Sequence, residues 1–215
     1  MALAFDVNSG SSTGAGTSLT WSHTTTGSNL VLVVGILTAD NNTDFITGVT
    51  YNSVALTRIN TAITNNNRRN YLYILGNASS GANNIVISAS GSTSIYASAC
   101  SYTGGASSPL DANNTGTTSG TSLTTSLTTV ADNCWLVGFV YAELTVSAGA
   151  NTTMRGGPFN NTQMFDSNGA KTPPGSYSLI TNQTTSDHMD HVIASIKVPG
   201  VVNKSRTSLS MLKVG

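Results

Sequence analysis

The sequence predicts an all-β fold, a single jelly-roll-like antiparallel β-sandwich with a C-terminal extension. Three observations carry this. Short runs rich in Val, Ile, Thr and Tyr alternate with clusters of Gly, Asn, Ser or Pro, the pattern of sandwiches and barrels. No segment shows a convincing amphipathic helical period. Only 8% of the 215 residues are Asp, Glu, Lys or Arg, against roughly 25% in ordinary globular domains. Ser, Thr, Asn and Gly take their place, and these suit polar strand faces and tight turns rather than helices.

Taken in order, strands are expected at Thr17 to His23, Asn29 to Leu37, Ile46 to Tyr51, Val54 to Ile59, Asn70 to Leu75 and Asn84 to Ser90. Further strands are expected at Ser94 to Tyr102, Thr121 to Thr129, Asn133 to Ala142, Tyr177 to Ile180 and His191 to Val198. Tyr51-Asn52-Ser53 holds a short Asn-containing turn that folds GVTYNSVALTRI into a hairpin. The unbroken apolar runs NLVLVVGIL and CWLVGFVY suggest central strands covered on both faces, whereas TSLTTSLTT alternates weakly and suits an exposed edge. On this reading residues 1–16 are an N-terminal segment, 17–199 the sandwich and 200–215 a C-terminal arm. Within the sandwich, residues 147–174 have little periodicity and read as a long loop, a common location for binding.

Hydrophobic residues make up 39% of the chain, enough to offset the entropy of folding. Nine basic and nine acidic residues give no net charge, so the long-range field that attracts nucleic acid or an anionic membrane is missing. The same neutrality removes repulsion between copies and suits a chain that works inside an assembly. The N-terminal MALAFDVNSG lacks the layout of a secretory signal, and the longest apolar run, Leu30 to Leu37, is far shorter than the roughly 20 residues of a spanning helix. The expectation is a soluble chain with neither nucleic acid nor membrane as a partner. Cys100 and Cys134 sit in apolar strand-like runs and read as two buried free thiols.

The residues that could carry chemistry are few. His188-Met189-Asp190-His191 has ligand-type side chains, but a regular strand places His188 and Asp190 on one face and His191 on the other. The reading is therefore strand-end histidines at a surface, with no metal. Gly10-Ser-Ser-Thr-Gly14 has the letters of a nucleophile elbow without the strand and helix that the elbow needs. Asp40-Asn41-Asn42-Thr43-Asp44 begins like a calcium loop, but Phe45 and Tyr51 stand where Gly and Glu are required. Glu143 is the only glutamate, and no triad spacing is visible, so the chain reads as non-enzymatic and without a cofactor. Arg68 and Arg69 precede Tyr71 and Tyr73. Cations beside aromatic faces can hold sugars or bases, although cross-strand packing is the ordinary use of such tyrosines. The arm carries Lys204, Arg206 and Lys213 without an acid, and Leu209, Met211, Leu212 and Val214 in a stretch too short to fold alone. Addition of a strand to a neighbouring subunit is the expected use of such a segment.

With the strands placed, the succession LTWSHTTTGSNLVLVVGI, VTYNSVALTRI, LYILGNASSGANNIVISASGS, SACSYTGGASSPLDA and HVIASIKVP resembles a loosely defined group of β-sandwich domains in bacteriophage structural proteins and bacterial surface proteins. The resemblance spans most of Thr17 to Pro199 and brings no catalytic residues. It implies a virion structural protein, a capsid decoration (cement) or tail-associated subunit made in the host cytoplasm and resident in the virion. The implied partners are other copies of the chain and other virion proteins, with a host surface glycan as a further one. The alternative is a carbohydrate-binding adhesin module on a virion or an extracellular surface.

Overall fold

The structure is a computed structural model, and it describes residues 2–39, 43–59, 63–65 and 68–200. The strands of the first half are β1 (Ala4–Thr25), β2 (Val31–Ala39), β3 (Ile46–Tyr51), β4 (Val54–Ala55), β5 (Thr57–Arg58), β6 (Ile63–Asn65), β7 (Arg68–Gly76) and β8 (Gly81–Thr103). Those of the second half are β9 (Leu110–Thr118), β10 (Ser122–Thr128), β11 (Trp135–Ala142), β12 (Val146–Ala148), β13 (Thr153–Phe159), β14 (Thr162–Asp166), β15 (Ser176–Gln183) and β16 (Met189–Ile196). No helix occurs among the described residues, and every ladder is antiparallel. The expected all-β class is the observed one.

The sheets divide the chain in sequence. β1 to β8 form one eight-stranded sheet along the path β4-β3-β8-β2-β7-β5, with β1 added to β8 and β6 to β7. The second half supplies a five-stranded sheet, β13-β14-β11-β16-β9, and a three-stranded one, β10-β15-β12.

The long ribbon of β1 and β8 folds back on itself. Gly16 lies opposite Thr93 and Ser18 opposite Ser88, so Ala89, Ser90, Gly91 and Ser92 stand against Thr17 alone. Beyond this bend β8 changes its second partner, from β3 at Ile85 to Ala89 to β2 at Ser94 to Tyr102. Strands that turn a corner at a bulge build sandwiches in this way. The two arms of β1 then meet: Trp21 Nε1 donates to Ser9 Oγ at 2.9 Å, and Thr26 N donates to Asp6 Oδ2 at 3.0 Å. Twenty residues of straight strand would hold those ends roughly 65 Å apart.

Three cores result. The first lies inside the folded ribbon, where Leu32, Val34, Ile36 and Tyr71 face Val49, Tyr51, Ile85 and Ile87. The second joins the two halves, with Val33, Leu72, Ile74 and Tyr102 against Val137, Phe139, Met164 and Val192. The third lies between the five-stranded and three-stranded sheets, built on Leu136, Val140, Phe165, Ile193, Leu123 and Leu179. β2, β11 and β16 are buried at every position because each separates two cores, which is why β2 and β11 read as unbroken apolar runs.

The turn at Asn52 and Ser53 is as expected, with φ of 49° and 65° and Tyr51 paired to Val54. Several boundaries are corrected. Residues 1–16 are not a separate segment, since Ala4 to Gly16 form the first arm of β1. Their Ser, Gly and Thr carry no apolar alternation, and the strand is imposed by its ladder to β8. The strands expected at Asn84 to Ser90 and Ser94 to Tyr102 are one strand, β8. Val54 to Ile59 is broken into β4 and β5, and β9 is unannounced in the sequence because its DANNTGTT has no large side chain. The supposed loop at 147–174 contains the hairpin of β13 and β14. Its period is masked by Gly156-Gly157-Pro158 and by register shifts around Gly156, whose φ is 99°. Lys204, Arg206, Leu209, Met211, Leu212 and Lys213 of the arm, and Asp40, Asn41 and Asn42 of the calcium-like segment, lie outside the described residues.

Candidate functional site

A cleft of about 290 Å³ opens at the seam between the two halves. Its walls come from Leu37 and Ala39 at the end of β2, Arg68 at the start of β7, Tyr96 of β8, Tyr141 of β11, and Phe159, Asn161 and Thr162 of the β13–β14 hairpin. Strand parity places Arg68 here. It shares the face of Leu72 and Ile74, which looks across the seam toward β11. Its guanidinium lies over the Tyr141 ring, 4.8 Å from the centroid, donates to the Tyr141 hydroxyl and pairs with Glu143. Burial pushes the Tyr141 hydroxyl well above the usual tyrosine range, reinforced by its hydrogen bond with Glu143. This phenol is a neutral hydrogen-bonding group at physiological pH.

Opposite stands Phe159, one of three large apolar side chains exposed among the described residues, at 49%. Its ring meets Tyr96 edge-to-face, with centroids 5.4 Å apart. Asn161 Nδ2 donates to the Ala142 carbonyl at 3.0 Å, which ties the hairpin turn to the end of β11. The cleft thus has an aromatic wall and a wall made of the Arg68 cation, neutralised by Glu143, and the Tyr141 phenol.

The sequence groups Arg68, Arg69, Tyr71 and Tyr73, and the structure does not bring these together. Tyr71 and Tyr73 do share one face, but that face is the first core, where they are 0% and 4% exposed. Arg58 lies over Tyr71, 4.8 Å from the ring centroid, and burial raises the Tyr71 hydroxyl to about 12. These tyrosines pack the sheet and present no platform to solvent. Arg69 follows their parity and lies opposite Thr38 and Thr64 in the ladders. Only Arg68 reaches the cleft. Tyr96, Phe159 and Asn161 carry no sequence signal, since a β-strand tyrosine and a hairpin tip look the same whether or not they meet.

The histidine cluster is split as strand parity requires. His188 Nε2 lies 2.8 Å from Asp190 Oδ2. His191 points to the third core and is held by Thr125 Oγ1 at 3.0 Å and Thr181 Oγ1 at 2.7 Å. The surface location is corrected, however, because all three side chains are buried. β16 is a central strand, so its end is covered by neighbours on both sides. His191 packs on the Phe165 ring, and its burial lowers its pKa to about 3. Both thiols are free and buried, as expected, and burial drives that of Cys134 up to about 12 and that of Cys100 higher. Gly10 to Gly14 lie within β1, with no helix after them. Asp44 is paired with Arg58 at 2.7 Å.

A second polar knot closes the seam elsewhere. Buried Asp166 accepts from Arg155 Nε at 2.7 Å and Nη2 at 3.0 Å, and from the Tyr102 hydroxyl at 3.0 Å. Arg155 also covers the Phe5 ring, 4.1 Å from the centroid. Its donors and acceptors are satisfied by one another, which marks it as structural.

Fold and site together define a layered antiparallel β-sandwich protein with a small aromatic and polar cleft at its internal seam. No family model matches the chain, and neither a curated protein nor a solved structure matches it.

Proposed function

We propose that the chain is a non-catalytic structural subunit of a bacteriophage virion, a capsid decoration or tail-associated protein that associates with copies of itself and with other virion proteins. The observation that carries this reading is the free edge of β1. Among the described residues this strand of 22 residues pairs with β8 alone, and the β13–β14 hairpin approaches it near Gly10. An open edge is a template for pairing with another chain, and monomeric proteins block it with lysines, prolines or short length. β1 has no Lys, Arg or Pro, and its one acid, Asp6, is turned to Thr26 and Ser101. Ser18, Thr20, Ser22 and Thr24 of this strand are all exposed and uncharged. A zero net charge adds no repulsion between copies. The phage setting comes from the sequence resemblance.

The test is paired. Electron microscopy of particles from the native source, with antibody labelling, should place the chain on them in a regular array. In purified protein, Thr20→Lys with Ser22→Lys should leave the melting temperature nearly unchanged, since both positions are exposed, and should reduce association in sedimentation velocity. A chain absent from particles and strictly monomeric at high concentration, or a lysine variant that associates like the parent, would overturn the proposal.

A further inference from the structure

We propose that the seam cleft binds one neutral sugar residue of a glycan, with the exposed Phe159 ring as the stacking surface and Arg68, Tyr141 and Asn161 as the hydroxyl-binding groups. This goes beyond the assembly role and does not depend on it.

Size limits the ligand first. At about 290 Å³ the cleft is at the small end of ligand sites, roughly 300 to 1,000 Å³. It suits a single ring rather than a chain of them. The Phe159 ring remains half exposed although Tyr96 packs edge-to-face with it. A large exposed aromatic held in place by a second ring is a preorganised apolar surface, and holding it costs little additional entropy on binding. A sugar offers such a ring the C–H groups of one face while its hydroxyls turn outward.

Charge limits the ligand next. A phosphate or carboxylate ligand would require an available cation, yet the Arg68 guanidinium already faces Glu143 and the Tyr141 hydroxyl. With Glu143 beside it the guanidinium offers donors without net charge, and the Tyr141 hydroxyl and the Asn161 amide on the same cleft add groups that can accept. Adjacent sugar hydroxyls, each both donor and acceptor, complement that arrangement. Arg68 is also immobilised against Tyr141, so its geometry exists before the ligand arrives.

The test is a titration of the isotope-labelled full chain by NMR, using methyl glycosides of glucose, galactose, mannose and N-acetylglucosamine. Glucuronic acid, N-acetylneuraminic acid and uridine serve as controls. At least one neutral glycoside should produce saturable shifts at Phe159, Asn161 and Thr162, and the controls should bind at least tenfold more weakly. Phe159→Ala should weaken binding at least tenfold while the rest of the spectrum is unchanged, because the ring is half exposed. Phe159→Tyr should restore it. No saturable shift with any neutral glycoside up to tens of millimolar, preferential binding of the acids or the nucleoside, or equal binding by Phe159→Ala would overturn the proposal. Attachment to particles is read separately, so failure of either proposal leaves the other standing.

Discussion

Gly35 of β2 and Phe139 of β11 are in direct contact across the seam: a Cβ placed on Gly35 would lie 2.3 Å from the phenyl ring. Here the two halves of the chain meet where one residue has no side chain and the other has a large one. Gly35 shares its face with Val31, Val33 and Leu37, all part of the second core, so glycine in an otherwise apolar strand is explained by the ring it admits.

Gly35→Ala should therefore destabilise the chain by about 1–3 kcal/mol through overpacking, read as a lower urea midpoint at unchanged slope. Adding Phe139→Leu should recover part of that loss, although Phe139→Leu alone is destabilising. Such non-additivity is the signature of two residues that share one space. Purely additive losses would show that the backbone opens to accommodate the methyl group.

The Arg155–Asp166 pair joins the β13–β14 hairpin to Tyr102 of β8 and Phe5 of β1. Asp166 is fully buried and Arg155 largely so. Removal of either partner leaves the other uncompensated, and Arg155→Ala or Asp166→Ala should each cost about 3–5 kcal/mol in chemical unfolding. Replacement of both together should cost less than the sum of the two. Losses below about 1 kcal/mol for the single variants would mean that water reaches the pair.

What could be read from the sequence follows from burial on two faces or one. β2 and β11 were legible because strands between two cores need apolar residues at consecutive positions. The turn at Asn52-Ser53 was legible from its chemistry, and the splitting of His188 and Asp190 from His191 from strand parity alone. The first arm of β1 was not, because its Gly, Ser and Thr take strand form only by pairing with partners far along the chain, from Ala4 with Thr103 to Gly16 with Thr93. The cleft was half legible. Arg68 stood out as a cation before a strand, but Tyr141 and Glu143 come from the other half of the chain, and no local period reports which sheets pack together. Grouping Arg68 with Tyr71 failed for the same parity that succeeded at His188, since residues three apart on a strand lie on opposite faces.

Cys100 and Cys134 should be inert to a thiol reagent such as Ellman's at pH 8 in the folded protein, and both should react once urea unfolds it. Only the thiolate attacks, and burial holds both thiols protonated at that pH. Rapid reaction of one thiol under native conditions would show that its surroundings open without global unfolding.

The last prediction concerns acid. His191 has a pKa lowered from 6.5 to about 3 by burial, and His23 from 6.5 to about 4, where burial outweighs the attraction of Asp6. Between the unfolded value and these folded values, the unfolded chain binds protons that the folded chain excludes. The contribution of the neutral histidines is therefore complete above about pH 6.5 and is lost as the pH falls toward 4 for His23 and 3 for His191. Each group gives a slope of up to about 1.4 kcal/mol per pH unit. Urea midpoints should fall steadily from about pH 6.5 to about pH 4. A His191→Gln variant, which can still hydrogen-bond Thr125 and Thr181, should start less stable at neutral pH and show a shallower decline. A midpoint independent of pH across this window, or a variant with the parent's slope, would show that His191 takes up its proton without unfolding.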